Sequence, residues 1–353
     1  MNDSENFLAQ FREMLACIEI VSERDFQFMN ETVQRIETHE PEIFSLHSTS
    51  SNASTQLHPA LTKRICDTLY ERCYLKKVIS DVRLEQEAPK QENLSALLHK
   101  ANTGLDGWDA NWRVYQVAED GRLFVQKADR SRVALAGEYT TYQWPGVKPK
   151  PGDFVSLRKF TGTTEVQEAF FFAFGHTLSD QFDDYSLVRF YFNVRARGAV
   201  NLLNVVTQNL NRYTLPFQFK TLFNASAYTR PDAAVLYVAR RYYPIVAALI
   251  WDMYDKIEGD LRDAVPSLSY PFARGIGAAD NPKDGVSFGI HRCQLIAQTL
   301  VKAWSQGEND IQQRLALLGR IFGDEKIALT APYLNPYATN IFEKPVFMEE
   351  TRW

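Results

Sequence analysis

Cysteine is scarce: Cys17, Cys66, Cys73 and Cys293 are the only four in 353 residues, and no two stand in C-x-x-C spacing. That excludes a disulfide scaffold and leaves reduced, mostly packed thiols as the expectation. A charge excess is missing too, because 39 Lys and Arg stand against 43 Asp and Glu for a net charge of −4. No overall basic field exists to hold a nucleic acid or an anionic membrane, so any anion site must be local. The most apolar stretch, 233–251, is interrupted by Arg240, Arg241 and Pro244, which reads as a buried helix and not a membrane span. The opening MNDSENFLAQFREML carries Asp3, Glu5 and Glu13 where a secretory leader would be basic and then apolar, so a cytoplasmic location is expected. The six histidines form no pair four residues apart and have no cysteine at ligand spacing, so no metal site is expected. No G-x-x-x-x-G-K-[ST] occurs, and Gly275-Ile276-Gly277 lacks the third glycine of a dinucleotide fingerprint, so no nucleotide cofactor is expected either.

What is present is an apolar fraction of 45% with 13% aromatics, enough for a large core and roughly two domains. Helical spacing of Phe7, Phe11, Met14 and Ile18, and of Leu61, Ile65, Leu69 and Cys73, predicts amphipathic helices over 4–22 and 60–82. Polar joints at 46–58 and 85–93 set these helices apart from each other and from the rest of the chain. From 108 to 194 short aromatic and β-branched runs alternate with turn signals, predicting strands. Beyond Gly198 the pattern predicts a helix (199–212), a strand (215–222), a long helix (232–262), a strand near YPFARGIG, and helices from 288 to about 322. The expected class is α+β: a helical N-terminal module (1–104), a mainly antiparallel β-sheet domain packed with long helices (105–330), and an irregular tail (331–353).

Gly285-Val286-Ser287-Phe288-Gly289 satisfies the serine-elbow pattern, but the segment before it is loop-like and His291 lies on the same predicted helix. Capping of that helix by Asp284 or Ser287 is the better reading. More telling are polar groups inside apolar strands. Over 187–194 the period of two opposes Arg189, Tyr191 and Asn193 to Val188, Phe190, Phe192 and Val194. Over 216–222 it opposes Gln218 and Lys220 to Phe217 and Phe219. A lysine on such a strand is partly desolvated, which moves it toward the range of a base; one wet face of an antiparallel sheet would produce the same pattern. Pro231 and Asp232 suit the first turn of the predicted long helix. Arg292 lies in the early turns of the next, where a helix terminus and a guanidinium can together hold an anion. His176, after the apolar run FFFAFG, is the best-placed imidazole for a proton donor, with Tyr228 as the alternative.

Taken together, R-x-Y-x-N at 189–193, P-F-x-x-K at 216–220, Y-x-R-x-D-x-x-V-L-Y at 228–237 and S-F-G-x-x-R-C at 287–293 resemble the HopA-type family, named after a bacterial type III effector. The resemblance spans roughly 105–330. It implies either a virulence protein delivered into plant cells or a relative of the lyase domains of thioamitide and lanthipeptide biosynthesis. Those domains are similar in role to phosphothreonine lyases, which remove phosphate from phospho-Ser or phospho-Thr by β-elimination. The implied substrate is a phosphorylated precursor peptide prepared by a separate kinase, and the implied product is dehydroalanine or dehydrobutyrine, with no metal and no cofactor. Under that resemblance Lys220 is the base, His176 or Tyr228 the acid, and Arg189, Tyr191, Asn193, Gln218, Arg230, Asp232 and Arg292 hold phosphate and substrate. A non-catalytic effector-like module with an anion pocket is the alternative.

Overall fold

Among the described residues, short runs of buried side chains, paired antiparallel, build three sheets. The computed structural model describes residues 3–33, 58–75, 91–128, 130–141, 147–177, 179, 183–282 and 285–342. Helix α1 (Asp3–Ala16) leads into a small sheet of β1 (Ile18–Ile20), β2 (Phe26–Phe28) and β3 (Glu31–Thr32). The helix expected to reach 22 therefore stops early: Ile18 and Ile20 alternate with exposed Glu19 and pair with Phe28 and Phe26. Helix α2 (Pro59–Leu69) starts on a proline, whose missing N–H costs nothing in the first turn, and continues as a π-helical turn over Tyr70–Tyr74. Helix α3 (Gln91–Ala101) comes next; residues 76–82 of the predicted helix lie outside the described residues.

The next strands, β4 (Gly107–Val117), β5 (Leu123–Lys127), β6 (Arg130–Ala134), β7 (Tyr139–Thr141) and β8 (Phe154–Lys159), form a five-stranded antiparallel sheet in the order β6-β5-β4-β8-β7. Trp112, Val114, Leu123, Val125, Val155 and Leu157 give it an apolar core of its own. The N-terminal helices, by contrast, share one core with the elements after residue 160.

That larger body is a seven-stranded antiparallel sheet in the order β14-β15-β11-β13-β12-β10-β9. Its strands are β9 (Gly162–Thr163), β10 (Phe170–Phe174), β11 (Leu187–Phe192), β12 (Gln218–Leu222), β13 (Ala234–Ala239), β14 (Tyr270–Ala273) and β15 (Ile276–Asp280). The helices are α4 (Ala199–Arg212), α5 (Tyr243–Met253), α6 (Phe288–Ser305) and α7 (Ile311–Asp324). On one face Phe190 stacks on Tyr243 of α5 at 5.6 Å, and His99 of α3 meets Phe171 edge-on at 4.7 Å. The other face meets the π-helical turn and the start of α6, where Phe288 lies 6.5 Å from Tyr191 and 6.2 Å from Tyr74.

The α+β class read from the sequence is the observed one. The long helix over 232–262 is not. Residues 234–239 are a central strand between β11 and β12, and α5 begins only at Tyr243 with Pro244 in its first turn. Ala-Val-Leu-Tyr-Val-Ala shows no alternation because neighbours cover both of its faces, and such a run cannot be told from buried helix by periodicity. Among the described residues no helix is long and apolar enough to cross a membrane. The four thiols are free and three are buried; burial pushes the Cys66 thiol up to about 12. Residues 331–342 form no helix or strand, yet Tyr333 and Phe342 sit in the core.

Candidate functional site

Strand register decides which polar groups meet. Arg189 pairs across β11 and β13 with Tyr237, and Tyr237 pairs with Gln218 on β12. Two residues further along, Tyr191 pairs with Val235 and Val235 with Lys220, whose neighbour on β10 is Phe172. Residues directly opposite share a face, and so do residues two apart. Arg189, Tyr191, Gln218, Lys220 and Tyr237 therefore project from the same side of the sheet, opposite the face packed on α5.

Tyr237 sits between the two cations. The Arg189 guanidinium lies 5.3 Å from its ring centroid and the Lys220 ammonium 5.8 Å, both within cation–π range. Lys220 is half-buried, 4.4 Å from the Phe170 ring, and Nζ donates to Oε1 of Gln167 at 3.0 Å. Arg189 is buried, donating from Nε to Oδ1 of Asn281 and from Nη2 to the Val286 carbonyl at 3.5 Å. Among the described residues, neither cation has a carboxylate partner. Burial works against the Arg189 charge, but the phenols of Tyr191, Tyr237 and Tyr74 favour it and its pKa stands above the ordinary value.

Behind Arg189 the site continues into a cluster of phenols. The Tyr70 and Tyr74 rings stack at 5.3 Å on the π-helical turn, and Tyr70 Oη accepts from Nη2 of Arg230 at 3.2 Å. Arg230 closes a two-pronged ion pair on Asp232, Nη2 to Oδ2 at 2.7 Å and Nε to Oδ1. Burial raises the pKa of Tyr74 and Tyr191. The Tyr191 hydroxyl, on a residue 2% exposed, lies beside the Tyr74 hydroxyl and the Arg189 guanidinium but makes no well-aligned hydrogen bond among the described residues. A buried hydroxyl left this way costs about 1–3 kcal/mol. Tyr191→Phe is accordingly expected to gain about 1 kcal/mol in a urea titration, within that range. A loss of similar size would mean the hydroxyl is bonded.

The structure thus brings Arg189, Tyr191, Gln218 and Lys220 to one face, with Arg230 and Asp232 joined to it through Tyr70 and Tyr74. Four other residues expected at the site are placed differently. Tyr228 is fully buried on the helix-packed face: its hydroxyl lies 2.9 Å from Thr221 Oγ1 and donates to the Leu222 carbonyl, and Thr221 alternates with Lys220. His176 is exposed just past the end of β10, its backbone N–H held by Asn211 Oδ1 at 3.1 Å. Asn193 donates from Nδ2 to the Ala264 carbonyl at 2.8 Å, fastening a loop. Arg292, 1% exposed, donates to the carbonyls of Pro332 and Leu334 at 2.7 and 2.8 Å and lies 2.7 Å from Nδ1 of His291, tying α6 to the C-terminal segment. Asp232 begins no helix, since it leads into β13; its position is explained by Arg230. Ser287 does cap α6, accepting from the Ile290 N–H at 3.3 Å, while Asp284 lies outside the described residues.

Tyr237, Tyr70, Tyr74 and Gln167 are the contributors that residue-by-residue reading passes over. Tyr237 is within its reach, as the last residue of the 228–237 motif. Sheet and face together define a domain built around an antiparallel core with an aromatic-lined cationic side. Residues 162–334 match the HopA1 effector protein family. The five-stranded sheet lies outside that match, which is narrower than the span suggested by the motifs. Two solved structures are similar, both of effector proteins from Pseudomonas syringae. That from pv. tomato strain DC3000 has a TM-score of 0.45 at 14% identity, covering 78% of this chain and 95% of its own. That from pv. syringae strain 61 has a TM-score of 0.43 at 12% identity, covering 78% and 96%. No curated protein matches the chain.

Proposed function

We propose that this chain is a phospho-Ser/Thr lyase, eliminating phosphate from a phosphorylated peptide to give dehydroalanine or dehydrobutyrine. The observation that carries the reading is the pair of cations flanking Tyr237, Lys220 and Arg189, neither of them neutralised by a carboxylate among the described residues. In this reaction the Lys220 amine takes the Cα proton, the freed electron pair forms the Cα=Cβ bond, and the Cβ–O bond breaks as phosphate leaves. Arg189 meets the negative charge that grows on the departing oxygen, a role in which a preorganised donor in a water-poor site is worth most. A separate kinase supplies the phosphorylated substrate.

A second reading, a non-catalytic module that binds an anion or a partner chain, draws on the internal engagement of Arg230 with Asp232 and of Arg292 with main-chain carbonyls. Incubation with a panel of phosphothreonine and phosphoserine peptides, read out by mass spectrometry, separates the two. Loss of the mass of phosphoric acid is the expected result. Loss of metaphosphate mass would indicate hydrolysis, and binding without mass change would favour the second reading.

A further inference from the structure

A cleft of about 650 Å³ opens between the five-stranded and seven-stranded sheets, and Tyr237 and Gln218 form part of its wall. It therefore adjoins the Lys220 face without being the same place. Its five-stranded side presents Arg130, Arg132, Arg158 and Lys159. Arg132 stacks over Trp112 at 5.9 Å with no acid partner among the described residues, and Arg158 stacks on Phe160 at 4.7 Å, with Asp106 no closer than 3.9 Å. The Lys159 Nζ is sheltered from solvent and, among the described residues, has no hydrogen-bond partner. The two carboxylates that line the cleft already have cations of their own: Asp109 receives Lys127 at 2.5 Å and Asp183 receives Arg241 at 2.7 Å. In a chain whose net charge is −4, this concentrates positive charge in one place.

The shape of the wall points to the class of ligand. Arg130 and Arg132 lie on β6 and Arg158 and Lys159 on β8, with β5 and β4 between them, so the positive groups are spread over about 14 Å, a reach that suits an extended chain and not a single small anion. A polynucleotide would gain little from so short a cationic surface on a protein of opposite overall charge.

We propose that this cleft binds an extended acidic peptide segment running across it from the β6 side toward the β8 side, with Arg132 and Arg158 contacting its carboxylates and Lys159 adding charge. This rests on the reading of a peptide substrate and assigns to strands outside the family-matched region the task of holding the stretch next to the phosphorylated residue. Burial lowers the Lys159 pKa, with Asp109 opposing it; an anion in the cleft supports its charged form.

The test is fluorescence anisotropy with a fluorescein-labelled, glutamate-rich peptide carrying one phosphothreonine, measured on the full chain and on Lys220→Ala to prevent turnover. Arg132→Gln with Arg158→Gln is expected to weaken binding by about tenfold or more, the scale of charge-assisted hydrogen bonds. Lys159→Met is expected to weaken it too while raising Tm, which separates lost charge from lost folding. Dependence of affinity on these residues supports the cleft even where no peptide loses phosphate. Unchanged affinity in both variants overturns it even where elimination is intact, and so does a short single-stranded RNA that binds more tightly than the peptide.

Discussion

Lys220→Ala is expected to lose elimination between about a hundredfold and ten-thousandfold, the range of a positioned general base, while phosphopeptide still binds through Arg189. Lys220→Arg is expected to fail nearly as badly, because a guanidinium keeps its proton at neutral pH and cannot take one from Cα. The surroundings of Nζ decide this. Its polar contact is the Gln167 amide, and Phe170, Phe172 and Tyr237 supply the rest, so nothing anionic among the described residues fixes the charge there. Were Lys220 a phosphate ligand only, the arginine would preserve much of the rate and the alanine would raise Kd. Single-turnover kinetics at saturating phosphopeptide separate these outcomes, since they isolate the chemical step from binding.

The part of this site that is legible in the sequence is the part governed by strand periodicity. Arg189 with Tyr191, and Gln218 with Lys220, each keep a period of two, and the register through β13 puts both pairs on one side. The strand that joins them is illegible for the opposite reason. Residues 234–239 are covered on both faces, so their side chains are uniformly apolar except for Tyr237, and continuity with 243–253 makes one helix of a strand and a helix. With β13 misread, Tyr237 cannot be placed between the two cations. Tyr228 and Arg292 show a further limit. Both belong to motifs, but whether a side chain outside a strand enters a cleft or the core depends on distant partners, here Thr221 and the carbonyls of 332 and 334. The cationic wall of the cleft is harder still to read, since Arg132 on β6 and Arg158 on β8 line one cleft although β5 and β4 lie between their strands.

Asp232→Ala is expected to be the most destabilising single change near the site. The carboxylate, on a side chain 10% exposed, holds Arg230 through two bonds, and Arg230, 24% exposed, reaches on to Tyr70 on the π-helical turn. Although burial disfavours the Arg230 charge, its bonds to Asp232 and the charge there keep its pKa above the ordinary arginine value. It therefore cannot escape by losing its proton. Removing one partner of a buried pair strands the other and costs about 3–5 kcal/mol; because water reaches part of Arg230, about 3 kcal/mol is expected, the low end of that range. Replacing both residues, as in Arg230→Leu with Asp232→Leu, is expected to be far milder, since matched apolar replacement leaves no unpaired charge. Urea titrations of the single and double variants measure the coupling directly. The same double variant also assigns Arg230: unchanged phosphopeptide affinity makes the pair a tie between the β13 approach and the π-helical turn, whereas weakened affinity in a protein of near-normal stability makes Arg230 a phosphate ligand held in place by Asp232.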